Sequence, residues 1–324
     1  MTLEHLSNTV RSSASNALGQ SGGTDYDVAA VIKNFLKVLP SRKITKDEGT
    51  TRKIMDAMQA EMDSYNLSSP LLKRIMYLAA SLAELAFPGL ALEEKKNIAL
   101  YTWYVVYIDD ASLNDNRPFV AFQQRFTLGL PQLDPVLDAY ASVLHALCDQ
   151  YDTLPANFIL SATFDYVNAT CLEPALEALP PVSGPTLFPG FLRDRTGLGI
   201  PYALFVFTRS RGHMLDFASL FQALPDMNFY IAAINDILSF YKEELAGEQG
   251  NYIYNRAHAE GKAPLSVLSD TIEELLEASA MVSVALQRTP EALDAWKNFE
   301  AGVISWHLEQ DRYRLKELDL YSGR

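Results

Sequence analysis

Apolar residues recur at helical spacing along nearly the whole chain, and no stretch alternates with the two-residue period of a strand. That pattern restricts the chain to an all-α fold. It predicts helices over Val28 to Leu39, with Pro40 as a stop, and over Thr51 to Tyr65. Ser68-Ser69-Pro70 is a helix start, opening Leu71 to Phe87, whose apolar stripe runs through Leu72, Ile75, Met76, Ala79, Leu82 and Ala83 before Pro88-Gly89 ends it. Leu92 to Asp110 is apolar on several faces, as a helix buried on all sides must be. Further helices are expected over Leu133 to Tyr151, Phe158 to Leu172, Leu204 to Leu220, Met227 to Glu244 and Ser269 to Gln287, with a last helical stretch over Pro290 to Asp319. The proline-rich Leu179 to Pro189 reads as a loop. No fixed-period repeat or long linker divides the chain, so residues 26–324 are expected to form one domain behind a mobile Ser/Asn/Gly-rich tail, residues 1–25.

Charge and cysteine usage narrow the functional classes. A net charge of −13 over 324 residues argues against a nucleic-acid binder, which presents a basic face. It leaves room for a polyanionic substrate, because divalent metals reverse the local field. Cys148 and Cys171 lie in no metal-binding spacing, and five histidines are scattered, which speaks against structural zinc and against a disulfide framework. The longest apolar run, Ile98 to Ile108, is too short to span a bilayer, and the N-terminus lacks a basic-then-apolar signal pattern. The expectation is a cytoplasmic protein with no membrane span.

Four groups of residues carry candidate chemistry. Asp109-Asp110 ends the buried helix on two carboxylates, against the negative end of its dipole, a cost that a bound cation would offset. A solvated helix end running into the polar loop Ser112 to Asn116 is the plain alternative. Asn235, Ser239 and Glu243 stand at i, i+4 and i+8; each step of four drifts only about 40°, so the three share one stripe of roughly 12 Å. Amide, hydroxyl and carboxylate oxygens make a donor set suited to magnesium, and Lys242 points to the same side. A polar face on a surface helix would look alike, although the apolar run Phe229 to Ile234 sets this stripe near the core. Arg312-Tyr313 can grip a phosphate by a bidentate fork and a phenol, or belong to an ordinary charged helix. Phe191-Leu-Arg193 followed by Gly197-Leu-Gly199-Ile-Pro201 predicts a helix that breaks, freeing backbone carbonyls toward a ligand; a simple interhelical turn has the same letters.

Taken together and in this order, the four groups resemble the fungal class I sesquiterpene cyclases of the trichodiene synthase group, over roughly Leu71 to Leu320. Asn235-Asp-Ile-Leu-Ser-Phe-Tyr-Lys-Glu243 is similar to the family's NDxxSxxKE metal motif, Arg193 with Gly197-Leu-Gly199 to its diphosphate-sensing arginine and helix break, and Arg312-Tyr313 to its arginine–tyrosine pair. The resemblance implies a single-domain helical bundle around an apolar cavity and three magnesium ions. In it Asp109 bridges two ions and Asn235, Ser239 and Glu243 hold the third. Arg193, Lys242, Arg312 and Tyr313 grip the diphosphate, Asp110 switches to Arg312 on closure, and Thr196 and Gly197 occupy the linker and effector positions of the broken helix. Two departures stand out. Leu113 replaces the third acid of a strict DDxxD box, with Asp115 two residues late, and Val303 stands where an aromatic is expected, which argues against trichodiene itself as product.

The implied activity is magnesium-dependent ionisation of farnesyl diphosphate and cyclisation of the cation, with diphosphate released. Tyr101, Thr102 and Val105 share the face of Asp109, and Trp306 lies six residues before Arg312, so these four are the expected cavity wall. A prenyl-elongating enzyme would carry a second aspartate-rich box in place of Asn-Ser-Glu, and no DxDD acid for protonation-initiated cyclisation is present. A non-catalytic helical homologue is the remaining alternative. A small-molecule prenyl diphosphate is the expected partner, and a homodimer stays open.

Overall fold

The computed structural model describes residues 27–39, 42, 44–172, 176, 182–208 and 217–318. The N-terminal tail, the stop at Pro40, residues 179–181 of the Leu179 to Pro189 loop and Asp319 lie outside the described residues; from 182 the loop runs on to the start of a helix at Phe188. Those residues form thirteen α-helices, two 3₁₀ turns and no strand. In chain order the helices are α1 Val28–Val38, α2 Glu48–Ser64, α3 Pro70–Ala86, α4 Leu92–Ser112, α5 Arg117–Thr127, α6 Pro135–Cys148, α7 Thr153–Thr170, α8 Phe188–Thr196, α9 Gly199–Phe205, α10 Phe217–Ala246, α11 Tyr252–Glu260, α12 Pro264–Ala285 and α13 Pro290–Glu309. The 3₁₀ turns, Asp311–Tyr313 and Leu315–Leu318, follow α13.

Local chemistry sets most helix starts. The side chains of Asp27, Asp47, Ser69, Asp134 and Asn251 each accept from a backbone N–H of the first turn they precede. Pro70, Pro135, Pro264 and Pro290 open their helices where the missing N–H has no intrahelical partner to lose.

Helix α4 is the axis of the bundle. Every residue from Ile98 to Val105 is buried, because α3, α2 and α6 pack around it. Across the molecule α10 lies against α12 and α9, and α13 returns to α3. A Cβ at Gly199 would collide with the backbone of Asn228, 2.8 Å from its Cα, so α9 and α10 meet backbone to backbone.

Four segments differ from the sequence expectation. The helix expected over Leu204 to Leu220 is instead the end of α9 and the start of α10, with residues 209–216 between them outside the description. Helix α10 continues through Pro225, in its third turn, where the sequence pattern places a boundary before Met227. Burial of Leu220, Leu224 and Met227 holds the turn together despite the lost hydrogen bond. Helices α5 and α11 are additions to the sequence reading. Each is short and buries only two or three side chains, a weak periodic signal.

Candidate active site

The ends of α4, α8 and α13 and the middle of α10 surround a cavity of about 660 Å³. Its inner wall is apolar and aromatic, formed by Val105, Tyr166, Tyr202, Ile231, Phe299 and Val303. Its rim carries the charges: Arg74, Asp109, Asp110, Arg193 and Arg312.

Asp109 is open to the cavity, and its carboxylate accepts no hydrogen bond from a described residue. The surrounding protein mass raises its pKa, as does the neighbouring Asp110, while Arg312 and Arg193 draw it back. Asp110 pairs with Nη2 of Arg74 at 3.0 Å, both side chains being well exposed, and no Asp110–Arg312 bond is present. Arg312 lies over the ring of Tyr313, 5.6 Å from its centroid.

The break after α8 occurs where the composition predicts it. Leu198 adopts a left-handed conformation, φ 52°, which costs a non-glycine residue roughly 1–2 kcal/mol. Such strain persists where the surrounding structure imposes it, and here Thr196, Gly197 and Leu198 all line the cavity. One turn earlier, Arg193 donates through Nε to Asp236 Oδ2 at 2.8 Å and through Nη2 to Ala232 O at 3.2 Å and Asn235 Oδ1 at 3.4 Å. Burial would lower the Arg193 pKa, but Asp236 outweighs it and holds the guanidinium charged. Burial pushes Asp236 up to about 6, leaving the pair ionised at neutral pH.

Asn235 also faces the C-terminal segment. Its Nδ2 lies 3.3 Å from Nε2 of His307 and 3.4 Å from the Tyr313 hydroxyl. Burial pushes His307 down to about 4 and Tyr313 up to about 12. Further along α10, Ser239 is buried with its hydroxyl on the Asp236 carbonyl at 3.4 Å, and Lys242 pairs with Glu243 at 3.1 Å. These three do not line the cavity, although the charge of Glu243 acts on both Arg193 and Tyr313.

The structure therefore brings Asp109, Asp110, Arg193, Thr196, Gly197, Asn235, Arg312 and Tyr313 to one cavity together with Thr102, Val105 and Trp306. Tyr101 departs from expectation: it is fully buried behind the wall, its ring edge-on to Tyr202 at 6.0 Å and its hydroxyl bonded to Thr163 at 2.9 Å. Sequence reasoning missed Arg74, Asp236, Tyr202 and His307. Asp236 stands inside the Asn235 to Glu243 motif and His307 beside Trp306, but their partners are 43 and 72 residues away.

Among solved structures, a variant of cucumene synthase covers 84% of this chain and 99% of its own, with a TM-score of 0.62 at 14% identity. Linalool/nerolidol synthase from Streptomyces clavuligerus, in complex with 2-fluorogeranyl diphosphate, covers 89% and 100% with a TM-score of 0.61 at 12% identity. At such identities these likenesses define the fold alone, that of the class I terpene synthases. The family follows from sequence. The profile of trichodiene synthase (TRI5) matches residues 66–322. Terpene synthase BipA from Cochliobolus sativus is 33% identical over 94% of this chain and 96% of its own. Longiborneol synthase CLM1 from Gibberella zeae is 30% identical over 93% and 92%. The chain belongs to the trichodiene synthase family, and it is an enzyme of the terpene synthase class, a carbon–oxygen lyase acting on phosphates.

Proposed function

We propose that the protein is a magnesium-dependent sesquiterpene cyclase that ionises farnesyl diphosphate and folds the resulting cation within this cavity, acting as one catalytic domain over residues 26–324. The observation that carries this reading is a cavity with a carboxylate, Asp109, that no described residue pairs, and three diphosphate-compatible groups, Arg193, Arg312 and Tyr313, at the rim of an otherwise apolar, aromatic wall.

The residues fit magnesium. Asp109 is a carboxylate without a hydrogen-bonding partner among the described residues, at the negative end of a helix, and Asn235, Ser239 and Glu243 supply three oxygens along one helix. Among the described residues no three histidine, cysteine or carboxylate side chains gather into a metal cluster. Magnesium keeps several waters and completes its shell with substrate phosphates, so it asks for few protein oxygens. When bound, magnesium neutralises the departing diphosphate and polarises its oxygens.

The chain's own residues do the rest. Arg193, Lys242, Arg312 and Tyr313 donate to the diphosphate as the carbon–oxygen bond breaks and the electron pair leaves with oxygen. Arg193 is held ready by Asp236, so it arrives charged and oriented. The allylic cation left behind lies among the rings of Tyr166, Tyr202, Phe299 and Trp306, whose quadrupoles can attract positive charge, and the apolar wall excludes water. Thr196 and Gly197 take the linker and effector roles of the broken helix, and Asp110 exchanges Arg74 for Arg312 as the site closes.

The test is incubation of pure protein with magnesium and geranyl, farnesyl or geranylgeranyl diphosphate, followed by analysis of volatiles. Cyclic fifteen-carbon products from the farnesyl substrate, lost in excess EDTA, are expected. Cyclisation that persists in EDTA, or volatiles from none of the three, would overturn the reading.

A further inference from the structure

Asn235 is bracketed by groups whose hydrogen-bond polarity cannot change. The guanidinium of Arg193 can only donate, and its Nη2 lies 3.4 Å from Oδ1 of Asn235. The amide oxygen therefore faces Arg193, and Nδ2 faces the other way, toward His307 Nε2 at 3.3 Å and the Tyr313 hydroxyl at 3.4 Å. At the far side of the imidazole, the Val303 carbonyl can only accept, and it lies 2.8 Å from Nδ1. The proton thus sits on Nδ1, and Nε2 offers its lone pair to Asn235. Flipping the amide would set a donor against a donor at Arg193. Moving the imidazole proton would set an acceptor against an acceptor at Val303. From Val303 to Arg193 the chain of bonds has one consistent direction.

We propose that His307 is a positioning residue for the metal site: its Nε2 lone pair fixes the amide of Asn235 with Oδ1 turned toward Arg193 and the diphosphate end of the cavity. This rests on the reading of Asn235 as a magnesium ligand. Polar partners of this kind orient metal ligands and raise their basicity. The effect is reciprocal, because a cation on Oδ1 withdraws charge from the amide and makes Nδ2 a better donor to His307. The ring has a second, purely mechanical role, packed at 4.8 Å from Trp306 and 4.5 Å from Tyr313. The two roles separate by substitution. His307→Phe keeps the aromatic packing and loses the acceptor. His307→Gln loses the ring but offers a carbonyl oxygen near the position of Nε2 and an amide N–H for Val303.

The experiment is calorimetric titration of the full chain with magnesium and inorganic diphosphate. His307→Phe is expected to weaken uptake by roughly 10- to 100-fold, with His307→Gln staying within about 3-fold of wild type. Full affinity in His307→Phe, or equal loss in both variants, overturns the proposal. Should His307→Phe fail to fold, nitrogen-15 imidazole shifts of the wild-type protein decide, with only five histidines to assign. A protonated Nδ1 on His307 is expected, and a protonated Nε2 overturns the proposal. Failure of the functional reading looks different: wild type itself would take up no magnesium diphosphate.

Discussion

On the inner wall of the cavity every hydroxyl proton has a committed partner, whereas at the rim the charges other than Arg193, which Asp236 holds, are only provisionally paired. Tyr202 donates to Thr102 at 3.0 Å, Thr102 to the Ile98 carbonyl at 2.8 Å, and Tyr166 to the Val105 carbonyl at 2.8 Å. Behind them Thr163 spends its proton on the Ile159 carbonyl, which leaves Tyr101 as the donor in the Tyr101–Thr163 bond. A wall of this kind offers a carbocation aromatic rings and apolar carbon, with no uncommitted hydroxyl proton among its described residues. At the rim, Asp109 has no hydrogen-bond donor among the described residues, Asp110 relies on the exposed Arg74, and Arg312 lies against a ring. If Asp109, Asp110 and Arg312 act on a polyanion as proposed, leaving them unsaturated trades stability for readiness, which the wall does not do.

The largest effect that sharpens this contrast is expected at Asp109. Asp109→Asn removes a carboxylate that the surrounding protein mass and Asp110 both disfavour in its charged form. Product formation should fall roughly 100- to 1,000-fold, as when a preorganised electrostatic group is lost. The thermal midpoint should hold or rise, since the substitution relieves a like-charge pair. A midpoint several degrees lower would make Asp109 part of the scaffold and erase the contrast.

The wall gives the opposite signature. Tyr101→Phe keeps the ring between Tyr140, Tyr202 and Phe205 and loses only the bond to Thr163. Denaturant titration should record a loss of about 1 kcal/mol, and the product ratio should stay that of wild type. A changed product ratio would return Tyr101 to the cavity surface.

The same division explains what could be read from the sequence. That Asn235, Ser239 and Glu243 share one stripe of α10 was legible because four-residue spacing on a helix is geometry that a sequence carries by itself. That Asn235 lines the cavity while Ser239 and Glu243 do not is set by the packing around α10. The burial of α4 was legible because no face of Ile98 to Val105 is polar. Tyr101 was misjudged because the helical face it shares with Asp109 is wider than the cavity, and only the packing of α6, α7 and α9 decides which side chains reach the opening. Asp236 sits about 100° round α10 from Asn235 and looked like a neighbour of the motif until Arg193 arrived from another helix. Arg74 carried no local signal at all: on α3 it is one more exposed basic residue, and its partner is 36 residues away.

Arg74 also tests the rim at its weakest point. Its pair with Asp110 is exposed on both sides, 72% for Arg74 and 41% for Asp110, and such pairs contribute about 0.2–1 kcal/mol. That weakness suits the proposed exchange of partners, in which Asp110 leaves Arg74 to meet Arg312. Arg74→Ala removes the resting partner and lowers the cost of that exchange by no more than the pair was worth. Binding of magnesium and diphosphate should therefore tighten, but by at most about 5-fold, the equivalent of 1 kcal/mol at the upper end of such pairs. The gain should fade at high salt, where exposed pairs are screened in any case. Weaker binding would instead mean that Arg74, which lines the cavity, grips the diphosphate itself. Unchanged binding at low salt would mean that Asp110 keeps no resting partner of consequence, and that closure is governed from Arg312 alone.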